Sequence, residues 1–89
     1  MNKIVGQVTV EERNEIQHLF ERKNGLNELV KILDANNVEL YEKVIADLGD
    51  TTTRCQNWWN RMLAKYQWEE VEGGHWEIDF ESCNISLIA

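Results

Sequence analysis

Two hydrophobic periods divide this chain. From Thr9 onward the apolar positions Ile16, Leu19, Phe20, Leu26, Leu29, Val30 and Leu33 recur in steps of three and four, apart from a gap at Lys23, which predicts an amphipathic helix. Thr9 stands as its N-cap, with Glu12 three residues on to close a capping box. Asn24-Gly25 falls inside the pattern. An interior glycine costs about 1 kcal/mol relative to alanine, yet the stripe keeps its phase, so one helix is expected over 10–34. Asp34-Ala35-Asn36-Asn37 forms the connection, and Asn36 as N-cap with Glu39 at N3 restarts a helix. Its stripe is Tyr41, Val44, Ile45, Leu48, Thr52, Cys55, Trp59, Met62 and Tyr66. It survives Gly49-Asp50-Thr51, so the second helix is expected over 37–65. A connection this short makes the two helices antiparallel neighbours.

From Tyr66 the period changes to two. Trp76, Ile78 and Phe80 alternate with Glu77 and Asp79, and Ile85 and Leu87 alternate with Asn84 and Ser86. A turn at Glu81-Ser82 would set Trp76 opposite Leu87, Ile78 opposite Ile85 and Phe80 opposite Cys83, with every apolar side chain on one face. Gly73-Gly74 offers an earlier turn, which makes 67–72 a third-strand candidate, although Glu70 would then face Glu77. The expected fold class is α+β: two long antiparallel helices followed by a small C-terminal antiparallel β-hairpin or three-stranded sheet. Residues 1–89 read as a single domain, with a helical hairpin over 10–65 and a β segment over 67–88.

Composition narrows the function classes. A chain of 89 residues with 43% hydrophobic residues, 28% charged residues and no proline is neither collagenous, nor low-complexity, nor a disulfide-dense mini-scaffold. The net charge of −7 argues against a phosphate-binding protein. That charge is uneven: Arg54, Arg61 and Lys65 make residues 51–65 locally basic. Residues 66–89 carry Glu69, Glu70, Glu72, Glu77, Asp79 and Glu81 and no Lys or Arg. Pairing of the basic segment with the acidic tail, within the chain or across a dimer, is one expectation. The N-terminus has neither the basic region nor the apolar run of a signal peptide, and Leu87-Ile88-Ala89 is far too short to span a bilayer. The expected location is cytoplasmic, in a bacterial style, with Cys55 and Cys83 as free thiols filling small apolar sites. Their spacing supplies no zinc or iron–sulfur pattern.

Candidate chemistry is sparse. Glu12/Glu15 and Glu39/Glu42 set carboxylates three apart on helices, as in metal-dependent nucleotide pyrophosphatases and di-iron bundles. Such sites need further converging carboxylates or Glu-x-x-His pairs, and the second acidic set of a pyrophosphatase is missing. His18 and His75 have no Cys, Ser or Asp at a spacing that makes a nucleophile–base pair, and no phosphate-cradling glycine motif occurs. No catalytic, cofactor-binding or metal residue is assigned, no cofactor is expected, and an enzyme is not expected. The segment Arg54 to Leu63 is the most informative. Adjacent tryptophans on a helix point about 100° apart. Trp59 belongs to the stripe, whereas Trp58 leans off it beside Arg54 and Arg61. Trp58, Arg54 and Arg61, with Lys65 at the edge, form the candidate partner-binding patch, because Trp and Arg carry much interface energy. One competing reading packs Trp58 under the C-terminal sheet; a weaker third, nucleic-acid stacking on Trp58, is opposed by the acidic tail close by in sequence.

The opening VGQVTVEERNEIQHLFERKNGLNEL, the middle LYEKVIADLGDTTTRCQNWWNRM and the ending WEIDFESCNISL resemble the small proteins called CXXX repeat peptide modification system proteins, over nearly the whole chain. The resemblance implies an accessory role beside a radical-SAM maturase that modifies a ribosomally made Cys-repeat peptide, and it transfers no active-site residue. The chain lacks a C-x-x-x-C-x-x-C cluster motif and lacks repeated cysteines, so it is neither the maturase nor the modified peptide. An adaptor, chaperone or subunit that binds the maturase or its peptide remains. The alternative from another class is a small metal-dependent nucleotide hydrolase using the helix carboxylates. A homodimer is expected as well: a 25-residue helix is about 37 Å long, and Ile16, Phe20, Leu26, Val30, Tyr41, Ile45, Leu48, Trp58 and Trp59 all need cover. Neither a nucleic acid nor a membrane is expected as a partner.

Overall fold

The helical period of the sequence translates into two uninterrupted helices. A computed structural model of the chain describes residues 2–33 and 36–89. In chain order these form β1 (Asn2–Gln7), α1 (Val10–Ile32), α2 (Val38–Tyr66), β2 (His75–Ile78) and β3 (Asn84–Ile88). The fold is α+β, with one three-stranded antiparallel sheet in the order β1-β3-β2. α1 runs through Gly25 and α2 through Gly49 without a break. The expected end of the first helix, Asp34, lies outside the described residues, as does Ala35 of the connection.

The first helix start is as expected and the second is displaced by one residue. The Thr9 amide donates to Glu12 Oε1 at 2.8 Å and the Glu12 amide to Thr9 Oγ1 at 3.1 Å, which closes the capping box. At α2 it is Asn37, not Asn36, that caps: its Oδ1 accepts from the Leu40 amide at 3.3 Å. Glu39 therefore sits in the first turn, where a carboxylate favours the positive end of the helix dipole, and does not close a box.

The buried face of α2 also differs from the expected stripe. It runs through Val44, Thr51, Trp58 and Met62, while Tyr41 and Ile45 stand exposed and Thr52 faces solvent. The large apolar residues of α2 spread over about half its circumference. A stripe chosen from hydrophobicity alone can be turned by a fraction of a residue, and here that moves Trp58 inward in place of Trp59.

The chain forms two compact units. One comprises Met1–Glu15 with Trp59–Ala89, and its buried residues are Val8, Met62, Trp68, Cys83, Ile85 and Leu87. In it the first turns of α1 lie antiparallel to the last turns of α2, joined by Arg61 to Glu15 and by Lys65 to Glu12. The other comprises Ile16–Trp58 and buries Ile16, Val44, Thr51 and Trp58. In that unit Arg22 of α1 pairs with Asp47 of α2.

The sheet follows the expected hairpin register in its regular part, with Trp76 opposite Leu87 and Ile78 opposite Ile85. The expected Phe80–Cys83 pair does not form. The strands stop at Ile78 and Asn84, and a wider loop closes on the Asp79 amide to Asn84 carbonyl bond (2.9 Å) and the Cys83 amide to Asp79 carbonyl bond (2.8 Å). The Asp79 carboxylate organises that loop by accepting from the Glu81 amide and the Ser82 hydroxyl, both at 3.0 Å. These bonds hold its pKa below the usual value, the Glu81 amide foremost.

The third strand is not 67–72 but the N-terminal β1, which pairs with β3 from Asn2 opposite Ile88 to Gln7 opposite Asn84. Segment 67–72 forms no strand and lies between two turned residues. Gln67 adopts φ 53° as it ends α2, and Gly73 adopts φ 77° in a turn closed by the Gly74 amide on the Val71 carbonyl at 3.0 Å.

Candidate partner-binding surface

The four residues of the sequence-derived patch have different environments. Trp58 is 0% exposed, so its ring offers no surface to a partner. Arg54 is exposed on α2, with Nε 3.0 Å from Asp50 Oδ2 one turn earlier. Arg61 donates to Glu15, and Lys65 Nζ donates to Glu12 Oε2 at 2.7 Å. Each cation thus faces a helix carboxylate, and pairing with the acidic tail within the chain does not occur at these three residues. The tail's own ion pair to a distant cation is Glu69 with Lys3 of β1, at 2.7 Å.

Glu12 is the most connected polar side chain. Besides the capping bonds it accepts from Lys65 and from the Tyr66 hydroxyl. Burial pushes its pKa up, but the hydrogen bonds from Lys65, the Thr9 amide, Tyr66 and the Thr9 hydroxyl outweigh that, and the value falls to about 2. The hydrogen bond to Glu12, followed by burial, raises the pKa of Tyr66 against the opposing effect of Lys65. A carboxylate held this firmly ionised is a poor proton carrier near neutrality. Its chemistry is that of a clasp between the start of α1 and the end of α2.

Aromatic rings continue the clasp. Tyr66 stacks on Trp68 with ring centres 5.3 Å apart and planes 4° from parallel, and Trp59 meets Trp68 edge-on at 6.4 Å. Lys65 Nζ lies 5.0 Å from the Tyr66 ring centre. The sequence reading did not single out Trp68, because it falls between the helical and the alternating periods.

Among the described residues, no group of three or more His, Cys, Asp or Glu is placed to hold a metal ion. Glu12 and Glu15 are engaged by Lys65 and Arg61, and Glu39 by Lys43 at 3.4 Å. His18 is exposed, and His75 Nε2 stands 3.2 Å from Glu77 Oε1. Cys55 and Cys83 are free thiols; burial pushes Cys55 up in pKa, the reverse of what activates a nucleophile. Among the described residues no helix is long and apolar enough to cross a membrane.

Apolar side chains remain uncovered elsewhere. On α2, Val38, Tyr41 and Ile45 lie within about 60° of one another around the axis and are 55%, 40% and 41% exposed. They flank the buried line through Val44. Tyr41 and Ile45 are among the residues that the sequence marks as needing cover, whereas Val38 is not. No protein-family model matches this chain, and no curated protein or solved structure matches it.

Proposed function

We propose that this chain is a non-catalytic accessory or adaptor protein that works by binding another protein. The observation that carries the reading is the apolar stripe of Val38, Tyr41 and Ile45, exposed on a helix rich in charge elsewhere. An exposed stripe of large apolar residues is costly in water and typical of a contact surface. The resemblance to the small component of Cys-repeat peptide modification systems makes a radical-SAM maturase, or its Cys-repeat peptide, the natural partner. A second copy related by a two-fold axis would cover the same stripe when the partner is absent.

Co-purification with such a maturase and its peptide tests the reading, using the wild-type chain and a Tyr41→Glu/Ile45→Glu variant. The wild type retains one of them, and the variant keeps its helical circular dichroism but loses the partner. Light scattering gives the wild-type chain alone a mass near twice 10.5 kDa and the variant a mass near 10.5 kDa. A wild-type chain that retains neither partner and stays monomeric refutes the reading.

A further inference from the structure

The sheet leaves a second surface unpartnered. In the order β1-β3-β2, strand β2 pairs with β3 along one side only. In an antiparallel ladder, residues alternate between bonding their neighbour strand and pointing away from it. The Asp79 amide bonds the Asn84 carbonyl, so Trp76 and Ile78 direct their N–H and C=O groups away from β3, to the open edge. By that alternation neither residue directs its backbone N–H or C=O group to β3. The other edge, β1, is less suited to pairing, because a bulge between Ile4 and Gly6 breaks its repeat.

The charge around β2 selects the occupant. Glu70, Glu72, Glu77, Asp79 and Glu81 surround this strand in sequence, and residues 66–89 contain no Lys or Arg. Among the described residues no lysine or arginine forms an ion pair with Glu70, Glu72 or Glu81. A second copy docking edge to edge would bring two such acidic segments together, which like-charge repulsion disfavours. An extended basic segment meets the same edge with opposite charge.

We propose that the open edge of β2 is a docking site for an extended Lys- or Arg-rich segment of a partner chain, which adds to the sheet as a fourth strand. The proposal rests on the adaptor reading and names the kind of partner it takes. Trp76 and Ile78 supply the main-chain bonds, and Glu77, on the opposite face of the strand, meets a basic side chain of the added strand. The apolar side chains of the incoming strand lie on the face shared by Trp76 and Ile78.

The test uses the intact chain and a short fluorescent peptide alternating lysine and valine, with a glutamate-for-lysine peptide as control. Fluorescence anisotropy reads affinity, and amide hydrogen exchange reads the Trp76 and Ile78 N–H groups. The lysine peptide binds, the control does not, and the two edge amides become protected. Ile78→Pro removes one edge N–H without removing a bond to β3, and it weakens binding about tenfold or more. Glu72→Lys/Glu77→Lys, at exposed positions, reverses the preference between the two peptides. Absence of binding overturns the proposal, as does binding that leaves the edge amides unprotected, or protection that appears with rising protein concentration alone. A maturase or Cys-repeat peptide that co-purifies equally with Ile78→Pro, while the lysine peptide fails to bind, leaves the adaptor reading standing and removes the β2 edge from it.

Discussion

Gly6 and Trp68 occupy the same space up to the limit of one carbon atom. A Cβ built on Gly6 would lie 2.5 Å from Trp68 Nε1 and 2.9 Å from its Cδ1, closer than non-bonded atoms approach. Gly6 sits at the bulge of β1, where the strand bends, and Trp68 is buried against it and stacked on Tyr66. The indole therefore fixes the residue type at position 6 from a distance of more than half the chain. Gly6→Ala is expected to destabilise the fold by about 1–3 kcal/mol, read as a lower urea midpoint with unchanged slope. The loss should couple to Trp68: in a Trp68→Leu background, which shortens the clashing side chain, the same glycine substitution should cost less.

The glycines inside the helices make the opposite prediction. A Cβ at Gly25 or at Gly49 meets nothing within 4 Å, and both lie within regular helix. Gly25→Ala should raise stability by about 0.5–1 kcal/mol, because alanine loses less backbone entropy on folding. Thermal unfolding of the single variant checks the sign.

Trp58 separates a structural from a binding role. With no exposed surface it should behave as a core residue, so Trp58→Ala is expected to cost about 3–5 kcal/mol. Arg54→Ala removes an exposed one-turn pair with Asp50 and should change stability by less than about 0.5 kcal/mol. Chemical denaturation of both variants, followed by circular dichroism, tests the contrast. An unchanged midpoint for Trp58→Ala would show that its burial adds nothing to the fold.

These residues also show which features were legible in the sequence. The capping box of Thr9 and Glu12 is local, so four consecutive residues carry all its information, and it formed as expected. The hairpin register at Trp76–Leu87 and Ile78–Ile85 was legible because alternation forces one face inward. The partner of the β3 edge was not, since β1 and β3 are joined by pairing across nearly the full chain and Gly6 interrupts the β-branched run of Ile4 and Val5. The helix face was legible only to within a fraction of a turn. On α2 that tolerance decided whether Trp58 or Trp59 was inside, and hence whether the candidate patch had an aromatic at its surface. Choice of ion-pair partners was the least legible, because Arg61 and Lys65 find Glu15 and Glu12 through the packing of α1 on α2, not through the net charge of neighbouring sequence.

The Glu12 clasp predicts a specific acid sensitivity. Its carboxyl has a folded pKa of about 2 against an ordinary value of 4.5, so the folded state binds the proton less readily than the unfolded chain. A carboxylate with a depressed pKa contributes stability that is fully present above 4.5 and is lost as the pH falls toward 2. With its side chain only partly screened by solvent, that contribution is expected to be about 2 kcal/mol. Glu12→Gln cannot ionise and cannot hold Lys65 by charge. The variant should therefore be less stable than wild type at pH 7, and the gap should narrow steadily as the pH is lowered from 4.5 to 2. Raising the pH from 5 to 8 should leave the gap unchanged, because Glu12 is ionised in both folded and unfolded chains throughout that window. Urea unfolding of both proteins at a series of pH values measures it. A gap that stays constant down to pH 2 would show that Glu12 stabilises the helix ends by its shape and neutral hydrogen bonds alone, and that the charge on Lys65 plays no part.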